Sequence, residues 1–107
     1  MAGLAPSQPE SAAHLVAYQD GAVVSREVVR SAKGTITAFA FDEGQGLSEH
    51  TTPYDALAHV LEGEAEITIG GTPHRVSGGQ LVLMPGGVPH ALRAVARFKM
   101  ILTMIRS

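Results

Sequence analysis

The chain has 107 residues, a length suited to one folded domain with one hydrophobic core. Hydrophobic residues make up 45% and charged residues 17%, which is typical of a globular protein and excludes a disordered chain. The net charge of −2 gives no basic surface for nucleic acid or an anionic membrane. The absence of cysteine excludes disulfides, thiolate nucleophiles and cysteine-ligated zinc.

The first residues differ in character from the rest of the chain. Residues 1–13 contain Pro6 and Pro9 and show no apolar periodicity, so we predict a flexible tail followed by a single domain at residues 14–107. They lack the basic and apolar regions of a signal peptide, and no apolar run approaches the ~20 residues of a membrane helix. We therefore expect a cytoplasmic protein with no membrane or nucleic-acid partner.

From residue 14 onward the residue types are those of β-strands joined by turns. Val, Thr, Ile and Phe are frequent in residues 14–18, 22–30 and 35–42. Apolar and polar residues alternate over residues 64–69, which predicts a strand with one buried face. Residues 98–105 are apolar on both faces, so we expect another element, most simply a partner subunit, to cover the outer face of this last strand.

Three glycine pairs divide the middle of the chain at a constant interval of eight residues. They are Gly70 and Gly71, Gly78 and Gly79, and Gly86 and Gly87. Turn signals at this spacing are typical of a β-sandwich or a closed barrel. None of the pairs is followed by the Lys and Ser or Thr of a phosphate-binding loop. No segment sustains a helical apolar period, so the predicted fold class is all-β.

A segment in the second half of the chain combines glycine, proline and histidine at fixed intervals. Gly79 opens a turn into a predicted strand, and Pro85 ends that strand because proline lacks an N–H. Gly87 permits a tight bend. Pro89 keeps the residue before it extended and brings His90 to the start of the next strand.

This segment resembles the second conserved motif of the cupin superfamily, G-x5-P-x-G-x2-H. The G-x5-H from Gly44 to His50, closed by Gly63, resembles part of the first motif. The chain is thus similar to the small bacterial single-domain cupins. The resemblance implies an antiparallel jelly-roll β-barrel of roughly six to ten strands. It also implies a homodimer, since cupins often exchange or extend strands between subunits.

The resemblance implies a metal site that this chain retains only in part. Cupins that bind a metal generally use two histidines and a glutamate of the first motif and the histidine of the second. The corresponding positions here are His50, Thr52, Ala56 and His90. Two imidazoles alone form a weak site for a divalent transition metal such as Zn, Ni, Fe or Mn. Asp55, next to the glutamate position, or water would have to complete the shell.

Strand alternation assigns the neighbouring side chains to the two faces of a sheet. If Ala56 points into the barrel, Ala58 and Val60 do so as well, and His59 points outward to the surface or a subunit interface. Small inward side chains leave room for a ligand. The predicted lining of the ligand pocket is Thr52, Ala56, Ala58, Val60 and Ala94.

Two classes of function remain open, and no specific activity is assigned. In the first, His50 and His90 hold a divalent metal with Asp55 or water, and the barrel binds a small molecule. If this protein is an enzyme, the resemblance implies metal-dependent dioxygenase or isomerase chemistry. In the second, the two histidines hydrogen-bond without a metal, the barrel is a ligand-binding or sensing module without catalysis, and Asp55 caps the turn after Pro53.

Overall fold

The structure, a computed structural model, describes residues 3–106; residues 1 and 2 of the predicted tail and residue 107 of the predicted domain lie outside this range. The described residues form nine β-strands and one 3₁₀ helix, Ala12–His14. The strands are β1 (Val23–Ser31), β2 (Gly34–Phe41), β3 (Gly46–His50), β4 (Asp55–Glu62), β5 (Glu64–Ile69), β6 (Thr72–Ser77), β7 (Leu81–Met84), β8 (His90–Ala94) and β9 (Phe98–Ile105). No helix within this range has the length and hydropathy needed to span a membrane.

All strand pairs are antiparallel and form two sheets. The large sheet has the order β1-β2-β9-β4-β7, and the small sheet has the order β3-β8-β5-β6. Non-sequential neighbours such as β9 and β4, or β8 and β5, arise because the chain crosses repeatedly between the sheets. This arrangement confirms the all-β jelly-roll fold predicted from the sequence.

The main core lies between the two sheets. The alternating sequence of β5 buries Ala65 and Ile67 completely on its inner face. From the large sheet, the fully buried rings of Phe41 and Phe98 stack with their centroids 4.4 Å apart. Each large apolar side chain removed from water in this way contributes about 1.5–3 kcal/mol to folding. The interior is therefore a packed core to which both sheets contribute.

The last strand is a central strand of the large sheet, and the chain itself covers part of its outer face. β9 lies between β2 and β4. Leu15 and Val16 of the N-terminal segment form a second apolar cluster with the outer face of this sheet, where Ile101 packs against them. Ile105, at the end of β9, remains 55% exposed. A partner subunit is thus not needed to cover Ile101, although it remains a candidate to cover Ile105.

The N-terminal segment lies against the barrel without joining a sheet. The strand predicted at residues 14–18 does not form: His14 ends the 3₁₀ helix, and Leu15 and Val16 are buried in an apolar cluster on the outer face of the large sheet without pairing to a strand. The Leu4 N–H donates to the Val28 carbonyl at 3.0 Å. The Lys99 ammonium donates to the Ala13 carbonyl at 2.6 Å. The tail is therefore anchored at two points.

One ion-pair cluster connects the start of the barrel with the β8–β9 loop. The Arg97 guanidinium donates to the carboxylates of Asp20 and Asp42, the latter at 2.7 Å. The Gly21 N–H donates to Asp42 at 2.6 Å. The Gly21 N–H and the Arg97 guanidinium together lower the pKa of Asp42 from 3.8 to about 2.

This lowered pKa predicts an acid-dependent loss of stability. Because the folded pKa lies below the unfolded value of 3.8, the contribution of Asp42 is complete above that value and is lost as the pH falls towards about 2. Asp42→Asn should lower the unfolding free energy at neutral pH and weaken its dependence on pH in this acid window. Chemical denaturation across the window measures both effects, and an unchanged slope in the variant would contradict the assignment.

Candidate functional site

Strand pairing brings the two motif histidines together. His50 is the last residue of β3 and His90 is the first residue of β8, and they are partners across this antiparallel pair. Their Nε2 atoms lie 3.1 Å apart, and the two rings meet edge-on with an interplanar angle of 71°. Residues separated by 40 positions in sequence thus form one site.

The opposite nitrogen of each ring faces a backbone carbonyl. Nδ1 of His50 lies 2.9 Å from the carbonyl oxygen of Ser48, and Nδ1 of His90 lies 3.3 Å from that of Val88. A carbonyl oxygen only accepts hydrogen bonds, so these partners assign the proton of each ring to Nδ1. In the neutral rings both Nε2 atoms then present lone pairs to each other. Such an arrangement needs either a cation ligated by both atoms or a proton on one of them.

The two histidines differ in burial. His90 is only 5% exposed, whereas His50 is an exposed residue. Burial lowers the pKa of His90 below 6.5, the neighbouring His50 lowers it further, and the hydrogen bond to Val88 acts in the opposite direction. The lowered pKa favours the neutral imidazole of His90 at neutral pH, which is the form that ligates metals. Solvent reaches the pair from the side of His50.

The pair fits two ligands of one metal ion. The Nε2 atoms, 3.1 Å apart, are close enough for both to ligate one divalent transition-metal ion with the usual N–metal bonds of ~2.0–2.1 Å. Within residues 3–106, however, no group of three or more His, Cys, Asp or Glu side chains could hold a metal. The histidines therefore fit a divalent transition metal only if water or a bound small molecule supplies the remaining donors.

Asp55 does not join the histidines in such a group. It is the exposed first residue of β4, and its Oδ1 accepts the N–H of Gly86 at 2.8 Å. This bond resembles the capping role considered for Asp55 in the sequence, in that a carboxylate satisfies a backbone N–H. The donor lies in the β7–β8 turn, 31 residues away, and not in the local turn after Pro53.

The small residues of the predicted pocket lie in two different environments. Thr52 is in the loop before β4, where its hydroxyl hydrogen-bonds the backbone of Tyr54 at 3.1 and 3.3 Å. The remaining four are at most 2% exposed and pack in the main core: Ala56, Ala58, Val60 and Ala94. Phe41, Phe98, Met84 and Met100 pack in the same cluster. Two surface grooves, of about 450 and 200 Å³, are lined by other residues.

His59 lies on the outer face of β4. Buried and half-buried residues alternate along this strand, with Ala58 and Val60 inside and His59 outside. Its partners across the sheet are Leu81 of β7 and Ile101 of β9. His59 thus lies on the opposite face of the large sheet from the core and takes no part in the histidine pair.

Sequence reasoning missed the groups that orient the two rings. The acceptors on Ser48 and Val88 are backbone carbonyls, each two residues before its histidine. Every residue has a carbonyl, so no residue type marks these positions in a sequence. The available signal was the spacing of Gly87 and Pro89 around Val88, which predicts the bend but not the hydrogen bond.

Comparison with known proteins agrees with this architecture. The sequence profile of the family described as "Cupin domain" matches residues 38–106, and the chain belongs to the cupin family. No curated protein matches the sequence.

Solved structures extend the likeness over nearly the whole chain. A conserved protein of unknown function from Streptococcus pyogenes, SPY1581, is 35% identical with a TM-score of 0.93, over 98% of this chain and 92% of that chain. A cupin superfamily protein from Desulfitobacterium hafniense is 27% identical with a TM-score of 0.91, over 98% and 96% of the two chains. A Cupin 2 conserved barrel domain protein from Leptotrichia buccalis is 35% identical with a TM-score of 0.85, over 88% of this chain and 46% of that chain.

Proposed function

We propose that this cupin binds a small molecule at a divalent transition metal held by Nε2 of His50 and Nε2 of His90. The observation that carries the proposal is the 3.1 Å separation of these two atoms, with Nδ1 of each ring directed at a carbonyl. Zn, Ni, Fe and Mn all accept imidazole ligands. Two protein ligands leave at least two coordination positions for water and for the bound molecule.

Different backbone and side-chain groups have different roles at this proposed site. The carbonyls of Ser48 and Val88 hold the rings in the tautomer that leaves Nε2 free. Burial of His90 excludes water from one side of the pair, and the exposed His50 leaves the other side open. Four of the predicted pocket residues pack in the main core, so we expect the bound molecule to lie beside the histidine pair. A metal bound here would supply Lewis-acid polarisation of an oxygen of that molecule.

Family membership suggests which enzyme classes to test. A metal-dependent dioxygenase or isomerase acting on a small polar molecule is the first candidate once metal binding is established. We further propose a cytoplasmic location and, from the net charge of −2, no nucleic-acid partner.

A metal-free binding or sensing module is the second candidate. It is favoured because Thr52 and Ala56 stand at two ligand positions of the family motif and the described residues provide no third ligand. In that case a proton between the two Nε2 atoms would replace the metal. The site would then bind its ligand through hydrogen bonds and apolar contact without turnover.

We also propose a homodimer formed through the outer face of the large sheet. One row of paired residues crosses all five strands of that face without a charged side chain: Leu83, Leu57, Thr103, Ile36 and Val29. Leu81, Leu83, Ile105 and Val29 are 59%, 52%, 55% and 43% exposed. The exposed part of this row forms an uncharged strip that is complementary to itself, as a twofold interface requires.

Metal content separates the two candidate functions. After reconstitution and dialysis, elemental analysis should find roughly one metal per chain in the parent protein and none in a His50→Ala/His90→Ala double variant, because both ligands are removed. His59→Ala, which removes a histidine from the outer face, is the matched control and should keep the metal. A parent protein that retains no metal after reconstitution would leave the metal-free module as the function.

A single substitution that introduces a charge tests the proposed dimer interface. Leu83→Asp should convert a dimer into a monomer, because a carboxylate would be buried without a partner in the interface. Thr72→Asp, on the exposed strand β6 of the other sheet, should leave the dimer intact. Sedimentation velocity of the three proteins measures the oligomeric state. A monomeric parent, or a dimeric Leu83→Asp variant, would show that this face is not the interface.

A further inference from the structure

Two loops determine how the histidines approach each other. Residues 51–54 follow His50 and lead into β4, and residues 85–89 lead from β7 to His90. The β-ladder between β3 and β8 shifts its register between Leu47 and His50, so regular strand pairing is interrupted just before the site. Contacts between the two loops are therefore important for the geometry of the pair.

Backbone contacts connect the two loops. The Gly87 N–H donates to the Thr52 carbonyl at 2.7 Å. Gly86 passes so close to the other loop that an added Cβ would lie 2.5 Å from the Pro53 carbonyl oxygen. Next to this contact, the Asp55 carboxylate accepts the Gly86 N–H at 2.8 Å. Asp55 thus adds a hydrogen bond from a side chain to the backbone contacts between the two loops.

The bond at Gly86 lies two residues from the group that orients His90. The Val88 carbonyl faces Nδ1 of His90, and the Val88 N–H donates to the Pro85 carbonyl at 3.3 Å, which closes the turn. Gly87 between them has a φ of 80°, a conformation that favours glycine. The contacts thus run continuously from Asp55 through Gly86 and the turn to the ring of His90.

We propose that Asp55 is a positioning residue for the histidine pair: it holds the turn that orients His90 against the loop that follows His50. This inference deepens the proposed metal site and rests on it. The role requires a hydrogen-bond acceptor at Oδ1 and does not require a negative charge. A metal ligand in this position would instead need the carboxylate, so the two roles respond differently to substitution.

Metal affinity distinguishes these roles. Asp55→Asn keeps an acceptor oxygen, so its affinity for Co²⁺, measured by absorbance titration, should stay within about twofold of the parent. Asp55→Ala removes the acceptor, and the affinity should fall about tenfold, the lower range for groups that orient metal ligands. Glu49→Gln removes an exposed carboxylate next to His50 and should match the parent. Equal losses in Asp55→Asn and Asp55→Ala, or no loss in either, would overturn the positioning role.

A measurement on the metal-free protein tests the role of Asp55 independently of the proposed metal site. In the metal-free protein, ¹⁵N NMR of the imidazoles should show protonated Nδ1 for both histidines in the parent and in Asp55→Asn. The His90 signals should change in Asp55→Ala, or in Asp55→Leu if the alanine variant does not fold. If the parent fails to bind Co²⁺, the metal site is wrong, and the NMR comparison still decides the role of Asp55. Unchanged His90 signals in the folded variants would overturn it.

Discussion

Two imidazole nitrogens facing each other at 3.1 Å form the contact on which the functional part of this structure depends. The contact exists because β3 and β8 pair antiparallel with His50 opposite His90, and because the carbonyl groups of Ser48 and Val88 fix both rings by their other nitrogens. Two neutral rings held this way repel each other, since each directs a lone pair at the other. A cation ligated by both Nε2 atoms, or a proton on one of them, would remove this repulsion.

The residues predicted to line a ligand pocket lie in a core that contains both small and large side chains. Ala56, which stands at the glutamate position of the family motif, and Ala58 are both buried in the main core. Phe41, Phe98 and Met100 pack in the same core, all fully buried. Small and large residues on facing strands fill the space together, as close-packed interiors require.

Several elements could be predicted from local sequence alone. The alternation of β5 and the residue content of β9 gave their boundaries, and the all-β class followed from the absence of any helical period. The segment at residues 14–18 shows the limit of this reasoning. Its Val, Leu and Tyr content is typical of a strand, yet Leu15 and Val16 are buried against the outer face of the large sheet. Burial against a distant surface outweighed the local preference.

The polar residues likewise include some that local sequence identifies and others whose contacts depend on distant parts of the chain. Sequence identified His50 and His90 through a motif spacing, because the turn chemistry of glycine and proline is local. The contact of Asp55 could not be obtained in this way, since its partner is a backbone N–H located 31 residues later and every residue except proline carries that group. The position of β9 in the middle of its sheet could not be predicted from the sequence either, because strand order depends on which distant segments pair.

The sequence by itself determined several of the strands and their turns, the cupin resemblance and the two histidines, because periodicity, glycine and proline act over a few residues. Only the tertiary structure decided that Nε2 of one histidine faces Nε2 of the other, that Asp55 bonds the β7–β8 turn, and that the small residues of β4 pack against large ones. These outcomes depend on side chains and backbone groups from different strands meeting in space. Their energies come from burial and hydrogen bonding across the two sheets, which no short stretch of sequence contains.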